Sequence, residues 1–439
     1  MFRRILIANR GEVAARVLRT CRRLGIETVA AVAEPDAKLA WLREVDTIVP
    51  IGGRGAYLDM DALIHAARAE RCSAIHPGWG FLSENALFAT RCEAERITFI
   101  GPSAGSIRTM GDKSVAKETM RRLGLPLIPG SDGPLVDVAH ARALADAIGY
   151  PVLLKARSGG GGRGMRRVNH PDEVAAAYSQ ASAEAHSAFG DGALYLEKLI
   201  ENGRHVEFQV MGDCYGNVVC LGERECSVQR RHQKLIEESP SPAVTEPVRG
   251  ALMEQVAAAC ARAGYVGAGT VEMLRDRDGA LYFMEMNTRL QVEHSVTEMV
   301  TGIDLVEHQL RVAAHERLRL PAAPARRGHA IECRINAEDP EQNFRPAPGL
   351  VHTLHLPEGE GVRVDTHLRE GDSISPHYDS LIAKVITWGE DRATALERMQ
   401  GALKDMVVGG VPTTIGLHLR VLSDPRFQSG VYDTGLLGA

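Results

Sequence analysis

From Glu285 to Glu293 the chain reads E-M-N-T-R-L-Q-V-E, with Glu285, Asn287, Arg289, Gln291 and Glu293 at every second position. Met286, Thr288, Leu290 and Val292 stand between them. A period of two is that of an extended strand, so the run predicts one strand with five polar side chains on one face. Two carboxylates, a guanidinium and two amides can together hold a divalent metal, fix an anion and move a proton. A solvated edge strand alternates too, but rarely with so concentrated a set, and the preceding Leu281-Tyr-Phe-Met284 reads as buried. The run is expected to floor a catalytic site.

Segments upstream supply matching chemistry. Glu272 lies in the apolar stretch Gly269-Thr-Val-Glu-Met-Leu274, and the turn Asp276-Arg-Asp-Gly279 predicts a hairpin that brings Glu272 beside Glu285. These carboxylates and the Asn287 amide oxygen suit magnesium, which takes hard oxygen ligands and completes its shell with substrate phosphates. The apolar strand Tyr150-Pro-Val-Leu-Leu-Lys155 runs into a glycine tract, Ser158-Gly-Gly-Gly-Gly-Arg-Gly164. Backbone amides free of Cβ crowding can close on phosphate oxygens, with Lys155 reaching the same anion. No Walker A spacing is present. Glycine tracts are often linkers, but extended segments on both sides predict a strand-loop-strand flap over a nucleotide. The strands Tyr195–Ile200 and His205–Val210 offer edges at which main-chain groups read a nucleobase. The charged run Glu223–Lys234, taken alone, reads equally well as a solvated face.

The N-terminal part alternates strand and helix: Arg4–Ala8, Val13–Leu24, Thr28–Ala33, Thr47–Pro50, Asp59–Ala69, Ala74–Ile75 and Thr98–Ile100. This pattern predicts an α/β, doubly wound parallel sheet. Asn9-Arg-Gly-Glu12 lacks the G-x-G-x-x-G of a dinucleotide site. In His76-Pro-Gly-Trp-Gly-Phe-Leu-Ser-Glu-Asn85, Ser83 or Asn85 is the expected helix cap.

With 439 residues and a net charge of −5, the chain has room for several cores and no global basic field, which argues against nucleic acid and anionic membranes as partners. No apolar run reaches membrane-spanning length, and Met1–Ile5 leads straight into a strand, so the expected compartment is the cytoplasm. Eight cysteines without a C-x-x-C pair are expected to be reduced and mostly buried.

Taken together these motifs resemble the biotin carboxylases of the ATP-grasp group. The resemblance runs from Ile7-Ala-Asn-Arg-Gly-Glu12 through His76-Pro-Gly, Met110-Gly-Asp-Lys113, the glycine tract, Gln229-Arg-Arg-His-Gln-Lys234 and Glu285–His294 to Glu332-Cys-Arg-Ile-Asn-Ala-Glu-Asp339. It implies a Rossmann-like N-terminal domain over 1–110, an ATP-grasp domain over 111–327 with a mobile lid at about 128–200, and an α+β C-terminal domain over 328–439. It implies ATP contacts at Lys113, Lys155, Gly161, Gly162, Glu197, Lys198, Leu199, Ile200, His205 and His232, and magnesium or manganese at Glu272, Glu285 and Asn287. Lys234, Arg289, Gln291 and Val292 would bind bicarbonate, Glu293 would deprotonate it, and Arg334 would stabilise the biotin enolate. Asp379 is expected to meet Arg16. Met-Lys, the family's biotinylation dipeptide, is absent, so biotin is expected on a carboxyl carrier protein or domain that works with a carboxyltransferase, as in an acyl-CoA carboxylase. A homodimer is expected. Trp79, Arg157 and Ser295 depart from the family pattern, which has tyrosine, a small residue and proline there. Rival readings are a carbamoyl phosphate synthetase-like ligase and a non-catalytic nucleotide-binding regulatory subunit.

Overall fold

The computed structural model describes residues 1–156 and 165–438; Arg157, Gly161 and Gly162, with the rest of the glycine tract, lie outside the described residues. By contact density the chain forms two compact units, one of Met1–Leu125, Arg204–Met273 and Glu285–Ala439, the other of Pro126–Gly203 and Leu274–Met284.

The N-terminal strands β1 (Arg4–Ile7), β2 (Glu27–Ala33), β3 (Thr47–Gly52), β4 (Ala74–His76) and β5 (Thr98–Phe99) are all parallel, in the order β3-β2-β1-β4-β5. Both faces of this sheet are apolar, so both need covering. Ile5 and Ile7 pack with Ala14, Val17 and Cys21 of α1 (Gly11–Arg23). Leu6, Val29 and Ile75 face the other way, against Leu63 of α2 (Met60–Ala69) and Phe88 of α3 (Ala86–Ala94). The doubly wound sheet is thus present as expected. Asn85 caps α3 by accepting from the Phe88 amide at 2.9 Å. Asn9 donates to the carbonyls of Pro77 and Trp79, at 2.6 and 2.8 Å, and so ties the Asn-Arg-Gly-Glu and His-Pro-Gly motifs together. Gly78 between them has φ +65°, and a Cβ there would meet the Asn9 amide nitrogen at 2.8 Å.

In the smaller unit β6 (Val152–Ala156) pairs antiparallel with β7 (Met165–Val168) and β8 (Leu194–Lys198). Alanine-rich faces of α4 (Val138–Ile148) and α5 (Val174–Phe189) seat Ala141, Ala145 and Ala181 against Val152, Leu154 and Leu196.

The main sheet has eight strands: β9 (Arg204–Gly212), β10 (Val218–Arg230), β11 (Gln233–Ser239), β12 (Gly267–Arg275), β13 (Leu281–Asn287), β14 (His329–Asn336), β15 (Val362–Thr366) and β16 (Leu381–Gly389). Their order is β13-β12-β9-β10-β11-β14-β16-β15. Strands on either side of residue 328 share this sheet, with Ile236 opposite Cys333.

Two expectations need correction, and one open reading is resolved. The polar run is not one strand. β13 ends at Asn287, and the chain then turns into α6 (His294–Thr301), with the Gln291 carbonyl accepting from both the His294 amide at 3.3 Å and its ring Nδ1 at 2.8 Å. Leu290, Gln291, Val292 and Glu293 are all buried, so the period of two stops where burial becomes continuous. The charged run, open on sequence alone, is interior over its first part: Glu223, Arg224 and Glu225 are fully buried and paired with Arg249, Glu207 and Arg204 at 2.7, 2.6 and 3.0 Å, whereas Arg231, His232 and Gln233 are exposed. Arg16, finally, does not pair with Asp379. It is held by Glu298 and Asp304 at 2.7 and 2.9 Å, and Arg10 is the cation whose charge acts on Asp379.

Seven cysteines are buried and Cys214 is exposed, all as free thiols. Among the described residues no helix is long and apolar enough to cross a membrane. Leu6→Ala should lower the stability of the larger unit by about 2–5 kcal/mol, because the two-sided packing around β1 leaves the cavity no room to collapse; urea unfolding followed by circular dichroism measures this.

Candidate functional site

Neighbouring strands of the main sheet each deliver one or two ionisable side chains to a single cluster: His205 and Glu207 from β9, Arg224 from β10, Lys234 and Glu237 from β11, Glu272 from β12 and Arg334 from β14. Glu293 enters from the turn after β13, as the residue preceding α6.

Lys234 sits at the centre. Its ammonium, on a side chain 11% exposed, donates to Glu207 at 2.5 Å, Glu293 at 2.6 Å and Glu272 at 2.9 Å. Burial opposes the ammonium's charge, but the three carboxylates outweigh it and hold its pKa well above the ordinary lysine value. Arg224, wholly buried, fixes Glu207 from behind and is itself satisfied by Gln209, Thr270 and Thr297.

Glu293 is fully buried and bracketed. Lys234 takes one carboxylate oxygen and Arg334 the other, at 2.6 and 2.8 Å. Burial alone would raise its pKa; Lys234, Arg334 and Arg224 reverse that and hold it well below the usual carboxylate range. Arg334 also binds Glu237, from its Nε at 2.6 Å. Glu237 ends differently: burial, only partly opposed by Arg334, pushes its carboxyl up to about 7. The sequence reading that Arg334 points away from its apolar neighbours Ile331, Cys333 and Ile335 agrees with this contact.

Asn287, Gln291 and His205 meet this cluster, and the remaining expected residues lie elsewhere in the two units. Asn287 donates to Glu272 at 2.9 Å, which the hairpin turn between β12 and β13 makes possible, and Gln291 reaches the same oxygen at 3.5 Å. His205 meets Glu272 at 3.2 Å; burial opposes its protonation, yet Glu272 draws its pKa upward. Arg289 binds Glu84 at 2.8 Å and the Asn287 side-chain oxygen at 3.3 Å. Glu285 pairs with the exposed Lys113 at 2.9 Å. Val292 is buried, and its carbonyl accepts from Lys384. His232 stands apart on the exposed two-residue turn between β10 and β11, where Arg231 and His232 both have positive φ. In the smaller unit Lys155 pairs with Glu197 at 2.5 Å, and the Lys198 ammonium holds the carbonyls of Gly149 and Tyr150. The main chain of Lys198 and Leu199 bonds to Pro129 and Pro151, leading to Ile200.

Sequence reasoning missed Glu207, Glu237, Arg224 and Glu84. Glu207 had a signal, because it shares a strand face with His205 two residues earlier. Glu84 had none, since only the fold brings its loop to Arg289.

As a donor set for a divalent cation, Glu272, Glu285 and Asn287 fit: all offer hard oxygens. His205, Glu207 and Glu272 also bring ligand atoms within 4.8 Å of one another, but Lys234 already supplies a positive charge to two of that trio.

Three family descriptions match along the chain: "Biotin carboxylase, N-terminal domain" over residues 1–107, "Carbamoyl-phosphate synthase L chain, ATP binding domain" over 112–320 and "Biotin carboxylase C-terminal domain" over 332–439. A biotin carboxylase of Nostoc sp. is 52% identical over 99% of this chain and 98% of its own. That of Haemophilus influenzae is 50% identical over 98% and 97%. Among solved structures, the biotin carboxylase domain dimer of Hydrogenobacter thermophilus 2-oxoglutarate carboxylase, in complex with MgADP, ADP and bicarbonate, is 48% identical. It covers 100% of this chain and 97% of that one with a TM-score of 0.91. A Campylobacter jejuni biotin carboxylase–β,γ-ATP complex is 46% identical over 100% and 98%, with a TM-score of 0.93.

The raised pKa of Glu237 has a consequence for stability. Between about 4.5 and about 7 this group is protonated when folded and ionised when unfolded, so its contribution, full below about 4.5, declines as pH rises and is lost above about 7. Melting temperatures of wild type and Glu237→Gln across pH 5–8 should therefore converge at low pH, with the wild type falling relative to the variant as pH rises.

Proposed function

The chain belongs to the biotin carboxylase family, and we propose that the cluster around Lys234 and Glu293 activates bicarbonate with ATP and transfers its carboxyl group to a ureido nitrogen of biotin. The observation that carries this reading is the bracketing of buried Glu293 by Lys234 and Arg334 on its two oxygens.

Glu293 rests ionised, the state a general base needs, but its two cations make it a weak one. Bicarbonate and, later, the biotin enolate are anions that compete for those same cations. When Lys234 turns to bicarbonate, beside Arg289, Glu293 loses stabilising charge and its proton affinity rises where the acidic proton arrives. The base is thus strengthened by the substrate it serves. The deprotonated bicarbonate oxygen attacks the γ-phosphorus of ATP, giving carboxyphosphate and ADP; carboxyphosphate then breaks down to carbon dioxide and phosphate, and phosphate takes the ureido proton. Arg334, released from Glu293, is placed to meet the enolate oxygen. Gln291 and the Val292 main chain would complete the bicarbonate contacts.

A magnesium or manganese ion held by Glu272, Glu285 and Asn287 would supply positive charge to the nucleotide phosphates when bound. Lys113, Lys155, the glycine tract with Gly161 and Gly162, His205, His232, Glu197 and residues 198–200 are the proposed nucleotide contacts. Biotin is proposed to arrive on a separate carrier, with a carboxyltransferase completing the overall reaction and two copies of this chain pairing. Acyl-CoA thioesters are one acceptor class; the 2-oxoglutarate and pyruvate carboxylases among the similar proteins favour 2-oxo acids beside them.

ADP formation tested against bicarbonate, free biotin and ammonia separates the readings. We expect turnover that needs bicarbonate and rises with biotin, whereas a carbamoyl phosphate synthetase-like ligase would respond to ammonia and a regulatory subunit would bind ATP without cleaving it. Glu293→Gln should cut bicarbonate-dependent cleavage by at least about a hundredfold while ADP affinity, measured by calorimetry, stays unchanged. Retained turnover in that variant removes Glu293 from the base role.

A further inference from the structure

Beneath Glu293 lies a second buried cation to which the proposed chemistry assigns no task. Lys384 on β16 is fully buried, and its ammonium donates to the Val292 carbonyl at 2.6 Å and to the Ser295 hydroxyl at 2.8 Å. Those two acceptors flank Glu293 and His294. Glu12 from α1 pairs with the same ammonium at 3.1 Å, and Asp365 and Glu332 lie at 3.8 and 3.9 Å. Ser295 passes its own hydrogen to Asp365 at 3.4 Å, and Asp365 is gripped by Arg363 at 2.6 and 3.0 Å and by Arg19 at 2.7 Å.

The turn that presents Glu293 is therefore held on two sides. Above, Lys234 and Arg334 bind its carboxylate; below, Lys384 binds the main chain just before it and the side chain two residues after it. The upper contacts must loosen for the base to act, because both cations are wanted by substrate. Contacts to charged groups in a dry interior are strong and directional. The lower contacts, made within the protein, have no such competitor.

We infer that Lys384, acting through Val292 and Ser295, is the positioning residue that keeps Glu293 aimed at bicarbonate after Lys234 and Arg334 release it. This rests on the reading of Glu293 as the base. Ser295 makes the role testable in this chain, since its hydroxyl is the only side-chain oxygen of the 292–295 turn that Lys384 engages.

Removing Lys384 itself would leave three buried carboxylates facing one another and risks misfolding, so the test uses Ser295. Steady-state ADP formation by the full chain, with bicarbonate and free biotin, is compared for wild type, Ser295→Ala and Ser295→Thr. Ser295→Ala is expected to lower kcat about tenfold with the KM for ATP within about twofold of wild type, and Ser295→Thr, which keeps the hydroxyl, to recover kcat to within about threefold. An unchanged kcat in Ser295→Ala overturns the inference. So does a fall matched by an equal rise in the KM for ATP, which marks a general disturbance, or a Ser295→Thr variant as slow as Ser295→Ala. A wild-type chain that forms no ADP under these conditions overturns the underlying reading and the inference with it.

Discussion

One ammonium shared by three carboxylates is the contact on which the site depends. Glu207, Glu272 and Glu293 come from two strands and a turn that are far apart in the chain, and each is buried where a lone carboxylate would take up a proton rather than remain charged. Lys234 makes their coexistence tolerable. Arg224 and Arg334 extend the arrangement on either side, one as a fixed support with every contact inside the protein, the other divided between Glu293 and Glu237.

Such a cluster is a poor way to stabilise a fold, since desolvation of each charge consumes most of what the ion pairs return. Its value lies in being displaceable. A site that must accept two anions, bicarbonate and a nucleotide polyphosphate, needs cations already desolvated and already oriented; internal carboxylates keep them so until the substrates arrive. Glu237 and Glu293, joined by one guanidinium, show how local surroundings separate similar groups: two cations share Glu293, whereas Glu237 has only part of one and keeps its proton near neutrality.

Local periodicity made much of this legible. The N-terminal sheet followed from strands and helices in alternation, and the pairing of β12 with β13 followed from a turn between two short strands, although the contact across it is Asn287 to Glu272, while Glu285 pairs with Lys113. Periodicity failed where burial stopped alternating, from Leu290 onward, and where a charged run became interior because its partners lay elsewhere. Arg249, Glu207 and Arg204, which neutralise Glu223, Arg224 and Glu225, are separated from them by 26, 17 and 21 residues. Glu84, Glu237 and Lys384 escaped for the same reason, as nothing in their immediate surroundings announces the groups they meet. The Arg16–Asp379 pairing, taken from resemblance alone, failed because Arg16 found nearer partners in Glu298 and Asp304.

In the proposed reaction substrate anions strengthen the base by drawing its cations away. Infrared difference spectra between wild type and Glu293→Gln, titrated with acid in the absence and presence of bicarbonate with a non-hydrolysable ATP analogue, isolate the protonation of this one carboxyl group. Glu293 is expected to titrate well below the usual carboxylate range in the free protein and to shift upward when both ligands are bound. A titration that does not move with the ligands, or a Glu293 already protonated at neutral pH in their absence, would contradict it.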